Sequence, residues 1–194
     1  DNIILKDLFT NKIKENDYIA DVGGGKKPAK IKSPVELPLR VNYDGFDISK
    51  EELELASGFY SSIYVVDLTN DLYIPPKKYD VLICMNTLEH VLDTKTSIKT
   101  LFNMTKDGGL IYLKLPCKYA FFSMLNKVLP NKVKNKLMHF IFPHKKTDGF
   151  PAFYDKSSPS EILKICDDLG LKLVKKNLVK WSSYFTFFFP FYFF

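Results

Sequence analysis

Ile3, Ile4, Leu5, Leu8, Phe9 and Ile13 recur at helical spacing and predict an amphipathic helix ahead of the first strand. A short apolar run over 18–21 is a strand, and it leads directly into Gly23, Gly24 and Gly25. Pro28, Pro34 and Pro38 rule out a continuous helix over 26–41, so a long, mostly irregular connection is expected there. A second strand follows over 43–48. Ser49-Lys50-Glu51-Glu52 then has the form of a capping box, opening a helix that ends near Gly58. A β-branched run over 63–67 is strand three. Strand four, 79–85, is apolar almost throughout, as expected of a parallel strand covered on both faces. A helix over 94–104, a turn at Lys106-Asp107-Gly108-Gly109 and a fifth strand over 110–115 complete the first half.

Beyond residue 116 the pattern changes. Residues 119–142 are amphipathic with helical spacing, through Phe121, Phe122, Met124, Leu125, Val128 and Leu129 and on to Val133, Leu137, Met138 and Ile141. Ser158-Pro159-Ser160-Glu161 is a second capping box with proline at the first helical position, opening a helix that reaches Leu169 and stops at Gly170. Residues 171–179 and 184–189 could form a terminal pair of strands. Strands alternating with helices at this spacing imply an α/β, Rossmann-like, doubly wound and mostly parallel seven-stranded sheet, with a helical insertion after strand five.

A chain of 194 residues can bury a sizeable core as one domain with an insertion. Its 46% hydrophobic and 26% charged residues are ordinary for a globular protein, whereas 17 Phe and 11 Tyr are high and unevenly placed. The net charge of +6 comes almost entirely from lysines spread along the chain. A nucleic-acid footprint would be more clustered and richer in arginine, so no nucleic-acid partner is expected. Cys84, Cys117 and Cys166 lack CxxC spacing and a nearby histidine pair, which argues against zinc and for reduced thiols in the cytoplasm. No secretory leader is seen, and no apolar run reaches the ~18 residues needed to span a bilayer. The aromatic stretch over 184–194 comes closest, but Pro190 breaks it.

Only glycine allows positive φ freely and lets a ligand approach without a Cβ in the way, so three glycines after a buried strand suit a nucleotide-binding turn. A flexible loop is the plain alternative. Asp21, Asp47 and Asp67 stand at or near the carboxyl ends of the first three strands. In an open parallel sheet these ends converge on one crevice. Carboxylates there can accept hydrogen bonds from a ribose, an amino group or an adenine amine, although each acid alone reads as a solvated strand-end residue.

Five segments occur in order: Asp21-Val22-Gly23-Gly24-Gly25, then Tyr43-Asp44-Gly45-Phe46-Asp47-Ile48, then Val66-Asp67-Leu68. The fourth runs from Tyr79 to the ending Asn86-Thr87-Leu88-Glu89-His90-Val91, and the fifth is Asp107-Gly108-Gly109-Leu110-Ile111-Tyr112-Leu113. Over about residues 18–116 the chain thereby resembles the class I S-adenosylmethionine-dependent methyltransferases, in their small-molecule, ubiquinone-biosynthesis-like branch. The resemblance implies S-adenosylmethionine as cofactor. It places Asp21 and the backbone of Gly23, Gly24 and Gly25 by the methionine part, and Asp47 with Ile48 at the ribose hydroxyls. Asp67 and Leu68 would frame the adenine, and Asn86 and Leu88 would line the other side. Residues 1–116 become the cofactor-binding half of a single domain over 1–194, with 117–157 as insertion or acceptor lid and 158–194 as terminal helix and strand pair. Two departures stand out: Lys27 occupies a position where the family often has glycine, and prolines replace the helix that usually follows. Some relatives bind a metal through Glu-x-x-Glu-His; Asn86 replaces the first acid here, and no metal is expected.

The reaction implied is in-line attack on a sulfonium methyl group, which needs alignment more than a strong base. His90 and His144 are candidate proton acceptors; the alternative is that Glu89 ties down the next helix and His90 packs beneath the substrate. Glu89, Asp148, Phe153 and Tyr154 are candidate acceptor-binding residues, the last three on an aromatic loop over 144–154. Lys127, Lys132, Lys134, Lys136, Lys145 and Lys146 interleave with apolar residues, which suits either a lid with a solvated lysine face or contact with an anionic membrane surface. The aromatic C-terminus reads as a buried strand or as a membrane or partner contact. The expectation is O-methylation of a small or lipid-linked acceptor, a glycan or a prenylated ring, in the cytoplasm, with peripheral contact at the inner face of the membrane left open. Two rivals remain: a methyltransferase-like scaffold without activity, and a nicotinamide-dependent oxidoreductase, whose Gly-x-Gly-x-x-Gly the chain lacks.

Overall fold

A computed structural model of the chain describes residues 3–32, 36–120, 123–124 and 150–179. Helix α1, Ile3–Asp7, continues as a π-helical turn over Leu8–Lys12 and buries Leu5, Leu8 and Phe9. Five strands follow in the order β1 Tyr18–Val22, β2 Asn42–Asp47, β3 Ser62–Val65, β4 Tyr79–Met85 and β5 Thr105–Lys114. Helices α2 Lys50–Glu54, α3 Thr94–Met104 and α4 Pro159–Asp168 accompany them. All four strand pairings are parallel, and the spatial order is β3-β2-β1-β4-β5. The chain therefore winds outward from β1 in one direction, then returns to β4 and winds in the other. The reversal between β1 and β4 is the place where such sheets open a crevice at the carboxyl ends.

Alternation along the strands divides the core into two layers. Ile19, Tyr43, Val81, Ile83 and Met85 face α1 and α2, packing on Leu5, Phe9 and Leu53. Ala20, Val22, Phe46, Leu82 and Cys84 face α3 and α4, packing on Ile98, Leu101, Met104 and Ile165. Two-sided burial is why β4 is apolar throughout but for Asp80 near its start, each large side chain contributing about 1.5–3 kcal/mol. Phe46 is fully buried, stacked on Tyr64 at 4.9 Å and edge-on to Tyr79 at 5.5 Å.

Strand β4 and helix α3 have the predicted bounds, while other elements depart from the expectation for identifiable reasons. Lys106-Asp107-Gly108-Gly109 is not a separate turn: Thr105 pairs with Tyr79 and Leu110 with Val81, so these residues form a bulge inside β5, with Gly108 at φ +76°. Helix α2 stops at Glu54, and a 3₁₀ turn over Ser57–Phe59 takes the chain on to β3. Only half of the first capping box forms. Ser49 accepts from the Glu52 amide, but the Glu52 carboxylate turns to Lys26, meeting its ammonium at 2.6 Å. The second box is complete, with Ser158 and Glu161 each accepting from the other's backbone amide. The described residues hold five strands, and the strand expected over 171–179 is not formed. The Leu171 amide turns back to the Cys166 carbonyl at 2.8 Å and closes α4, and Val174 stands 75% exposed, so this segment has no ladder partner among the described residues. Its expected companion, 184–189, lies outside the described residues, as do 121–122 and 125–149 of the expected insertion. Among the described residues no helix is long and apolar enough to cross a membrane.

Truncating the fully buried Phe46 to alanine is expected to destabilise the protein by about 3–5 kcal/mol, measured by urea unfolding, because it removes a ring held between two others.

Candidate active site

The crevice above β1 and β4 is built by the glycine turn. Gly23 and Gly25 have φ of +72° and +47°, conformations that side chains oppose. The Gly23 amide donates to the Phe46 carbonyl at 2.7 Å, fastening the turn to β2. A Cβ on Gly23 would lie 2.1 Å from Thr87 Oγ1, one on Gly24 2.6 Å from the Tyr60 hydroxyl, and one on Gly25 3.2 Å from Asp47 Oδ2. The three glycines thus bring the ends of β1, β2 and β4 into contact through backbone alone.

Asp47, the last residue of β2, sits half-buried at the mouth of this turn. Its carboxylate accepts from the Ser49 amide at 3.0 Å, and burial pushes its pKa up against those backbone donors. Ile48 beside it is 57% exposed and presents an apolar face. Asp67 lies two residues beyond the end of β3, exposed, with Oδ1 accepting from the Thr69 amide and hydroxyl at 2.9 and 2.7 Å. Leu68 is buried next to it. A carboxylate at the end of β2, an apolar surface alongside and a turn stripped of side chains are the hydrogen-bond acceptor and contact surfaces that suit an adenosyl ligand.

Asp21 is placed differently from the other two acids. It is 1% exposed and faces the α1 layer, where its Oδ2 accepts from the Ala29 amide and the Tyr43 hydroxyl, both at 2.6 Å, and from the Tyr60 hydroxyl at 3.4 Å. Burial raises its pKa, and these donors oppose the rise. The same burial, beside the Asp21 charge, raises the pKa of both tyrosines. Asp21 therefore holds the turn from beneath. Tyr43, Tyr60 and Thr87 escaped the sequence reading. Thr87 alone had a visible signal, a hydroxyl two residues beyond an apolar strand.

On the other side of the reversal, Asn86 follows β4 at φ +55°, its amide bonded to the Lys114 carbonyl at 2.7 Å. Leu88, Glu89 and His90 form a 3₁₀ turn. Leu88 is buried in the core below. Glu89 is 5% exposed with Oε2 unpartnered, and burial pushes its carboxyl above the ordinary range. The segment 150–154 returns onto this turn: the Phe153 and Tyr154 amides donate to the Glu89 carbonyl at 2.8 and 3.1 Å. His90 Nδ1 lies 2.9 Å from the Pro151 carbonyl, which can only accept, so Nδ1 carries a proton and Nε2 is the nitrogen left to accept one. His90 Nε2 stands 3.9 Å from Glu89 Oε1. Phe150 lies edge-on to the imidazole at 6.4 Å, and Phe153 is partly exposed. Tyr154 is buried, at φ +52°. The structure thus brings Glu89, His90, Phe153 and Tyr154 together as one group, while His144 and Asp148 lie outside the described residues. Among the described residues no cluster of three or more His, Cys, Asp or Glu could hold a metal.

The model of a methyltransferase domain family matches residues 4–176. The ubiquinone biosynthesis O-methyltransferase of Colwellia psychrerythraea is 28% identical over 174 residues, covering 84% of this chain and 64% of its own. An uncharacterized protein of Methanocaldococcus jannaschii is 30% identical over 134 residues, covering 60% and 36%. The chain thus spans only 36–64% of the length of these two relatives. Among solved structures, magnesium protoporphyrin IX methyltransferase from Synechocystis with bound S-adenosylhomocysteine superposes with a TM-score of 0.61 at 18% identity, over 95% of this chain and 76% of that one. At that identity the likeness is one of fold.

Glu89 generates a pH-dependent prediction. Its carboxyl is raised above 4.5 in the folded protein, so its contribution to stability is complete below the unfolded pKa and is lost as pH rises through the folded one. Glu89→Gln removes the titration. The stability difference between variant and parent should move in favour of the variant from pH 4 to pH 8, read by thermal melts across that range.

Proposed function

The chain belongs to the methyltransferase domain family, of the class I S-adenosylmethionine-dependent kind, and from that premise we propose that it transfers a methyl group to a hydroxyl oxygen of a small or lipid-linked acceptor, a glycan or a prenylated ring. The observation that carries this reading is the position of Asp47. Its carboxylate stands at the carboxyl end of β2, against Gly25 of the turn, where it can accept from both hydroxyls of a ribose. Asp67, Leu68 and Ile48 supply the neighbouring polar and apolar edges for the adenine. The backbone of Gly23, Gly24 and Gly25 runs along the methionine end, held there by Asp21, and Asn86 closes the opposite side of the crevice.

Bound S-adenosylmethionine supplies an electrophilic methyl group on a positively charged sulfur. The protein's part is to hold an acceptor oxygen in line with it, to exclude water and to receive a proton. His90 Nε2 is the group placed for that last task, because the Pro151 carbonyl occupies the other ring nitrogen. Phe150 lies edge-on to it, and Phe150 and Phe153 are exposed aromatic residues suited to a sugar or a ring. The likeness to the ubiquinone biosynthesis O-methyltransferase of Colwellia psychrerythraea favours oxygen as the atom methylated and a prenylated ring as one acceptor class.

Calorimetric titration of the purified chain with S-adenosylhomocysteine tests the cofactor reading. Saturable binding is expected, weakened roughly ten- to hundredfold by Asp47→Ala through loss of charged hydrogen bonds. Absence of binding by the parent chain, or undiminished affinity in the variant, would overturn it.

A further inference from the structure

The segment leaving the glycine turn is anchored in an unusual way. Pro28 and a single 3₁₀ turn over Ala29–Lys32 stand where a long helix would otherwise fix the far end of the turn by its own hydrogen bonds. Only short-range bonds remain within it, Lys27 amide to Gly24 carbonyl at 2.9 Å and Ile31 amide to Pro28 carbonyl at 3.1 Å. A turn with so little internal support needs its course set from outside.

We propose that Tyr60 and Tyr43 are positioning residues that set the course of the glycine turn and thereby the fit of the methionine end of the cofactor. The proposal rests on the cofactor reading above. Tyr60 reaches the turn directly: its hydroxyl lies 3.4 Å from the Gly25 carbonyl and 3.4 Å from Asp21 Oδ2, and it fills the space a Cβ on Gly24 would take. Its ring lies over Gly45, where a Cβ would come within 2.7 Å, so β2 also leaves room for it. Tyr43 works at the far end. Its hydroxyl donates to Asp21 and accepts from the Lys30 amide at 3.2 Å, joining the exit of the turn to the buried carboxylate. The two rings stack at 5.5 Å and 13°, so a shift of either one moves the other. Lys30 closes the assembly from outside, with its ammonium 4.9 Å from the Tyr43 ring centre and bonded to the Phe59 carbonyl. Both phenols thus act on the turn through the backbone of residues 24–30, and neither need touch the cofactor.

Ligand fragments separate positioning from general support of the fold. S-adenosylhomocysteine spans the whole site, whereas methylthioadenosine keeps adenine, ribose and thioether but lacks the amino-acid end. Affinities for both are measured on the intact chain and on Tyr60→Phe and Tyr43→Phe, which keep the stacked rings and remove only the hydroxyls, using competition at up to millimolar concentration for the weaker ligand. Each variant is expected to lose roughly tenfold in affinity for S-adenosylhomocysteine, the size of one lost hydrogen bond to a charged group, with less than a roughly twofold change for methylthioadenosine. Gly24→Ala, which pushes the Tyr60 hydroxyl from the turn side, should reproduce the same split. Parallel losses for both ligands, or unchanged affinity for both, would overturn the proposal. A parent chain that binds S-adenosylhomocysteine shows that the cofactor reading stands in either case; one that binds neither ligand overturns that reading, and this proposal with it.

Discussion

A carboxylate taken out of water must be repaid in hydrogen bonds, and in this fold Asp21 collects them from three separate stretches of chain. Tyr43 comes from β2, Tyr60 from the segment ahead of β3, and the Ala29 amide from beyond the glycine turn. Because all three converge on a single oxygen, the position of β1 relative to β2 and the path of the turn are fixed together. The crevice at the reversal between β1 and β4 inherits its shape from this one desolvated charge. The sheet provides the platform, and Asp21 decides where the turn lies upon it.

The other buried acids show that burial alone does not make a site. Asp44, fully buried in β2, meets the Lys77 ammonium and the Tyr79 hydroxyl, both at 2.9 Å, on the α3 side of the sheet, and serves the core. Glu89 is buried to a similar degree, and its turn carries a histidine whose Nδ1 faces the Pro151 carbonyl. Asp44 Oδ1 and Glu89 Oε2 alike lack a hydrogen-bond partner among the described residues, so the contrast lies in what surrounds each acid. Asp44 is ion-paired to Lys77 within the sheet, whereas Glu89 lies in the turn after β4, onto which the aromatic residues Phe153 and Tyr154 fold back.

What the sequence discloses follows from how local each signal is. Strand β4 and helix α3 were legible because two-sided burial and amphipathic spacing leave marks within a few residues. The glycine turn after β1 and Asp47 at the end of β2 were legible because strand, acid and glycines stand within a few residues of one another, whereas the burial of Asp21 beneath the turn was not. The bulge at Lys106-Asp107-Gly108-Gly109 was not, since its residues are those of a turn and only pairing with β4 reveals otherwise. Nor was the half-formed capping box, where Lys26 competes for Glu52 from across the turn. The tyrosines binding Asp21 lie 22 and 39 residues from it, and no local pattern announces such a meeting. The strand expected over 171–179 is absent for a related reason: its apolar residues mark a segment capable of pairing, and pairing also needs an edge to pair with.

Gly23 and Thr87 occupy what is effectively one volume, although 64 residues separate them. The threonine fills the cavity that the missing Cβ leaves, and its hydroxyl touches the carbonyls of Val22 and Met85, each at 3.3 Å. Neither position is free to drift by itself. Over evolutionary time the pair should behave as one heritable unit, with bulk at one position excluding bulk at the other, and a lineage that replaces Thr87 by a small residue would gain a gap at the floor of the crevice rather than tolerance at Gly23, whose backbone still demands glycine.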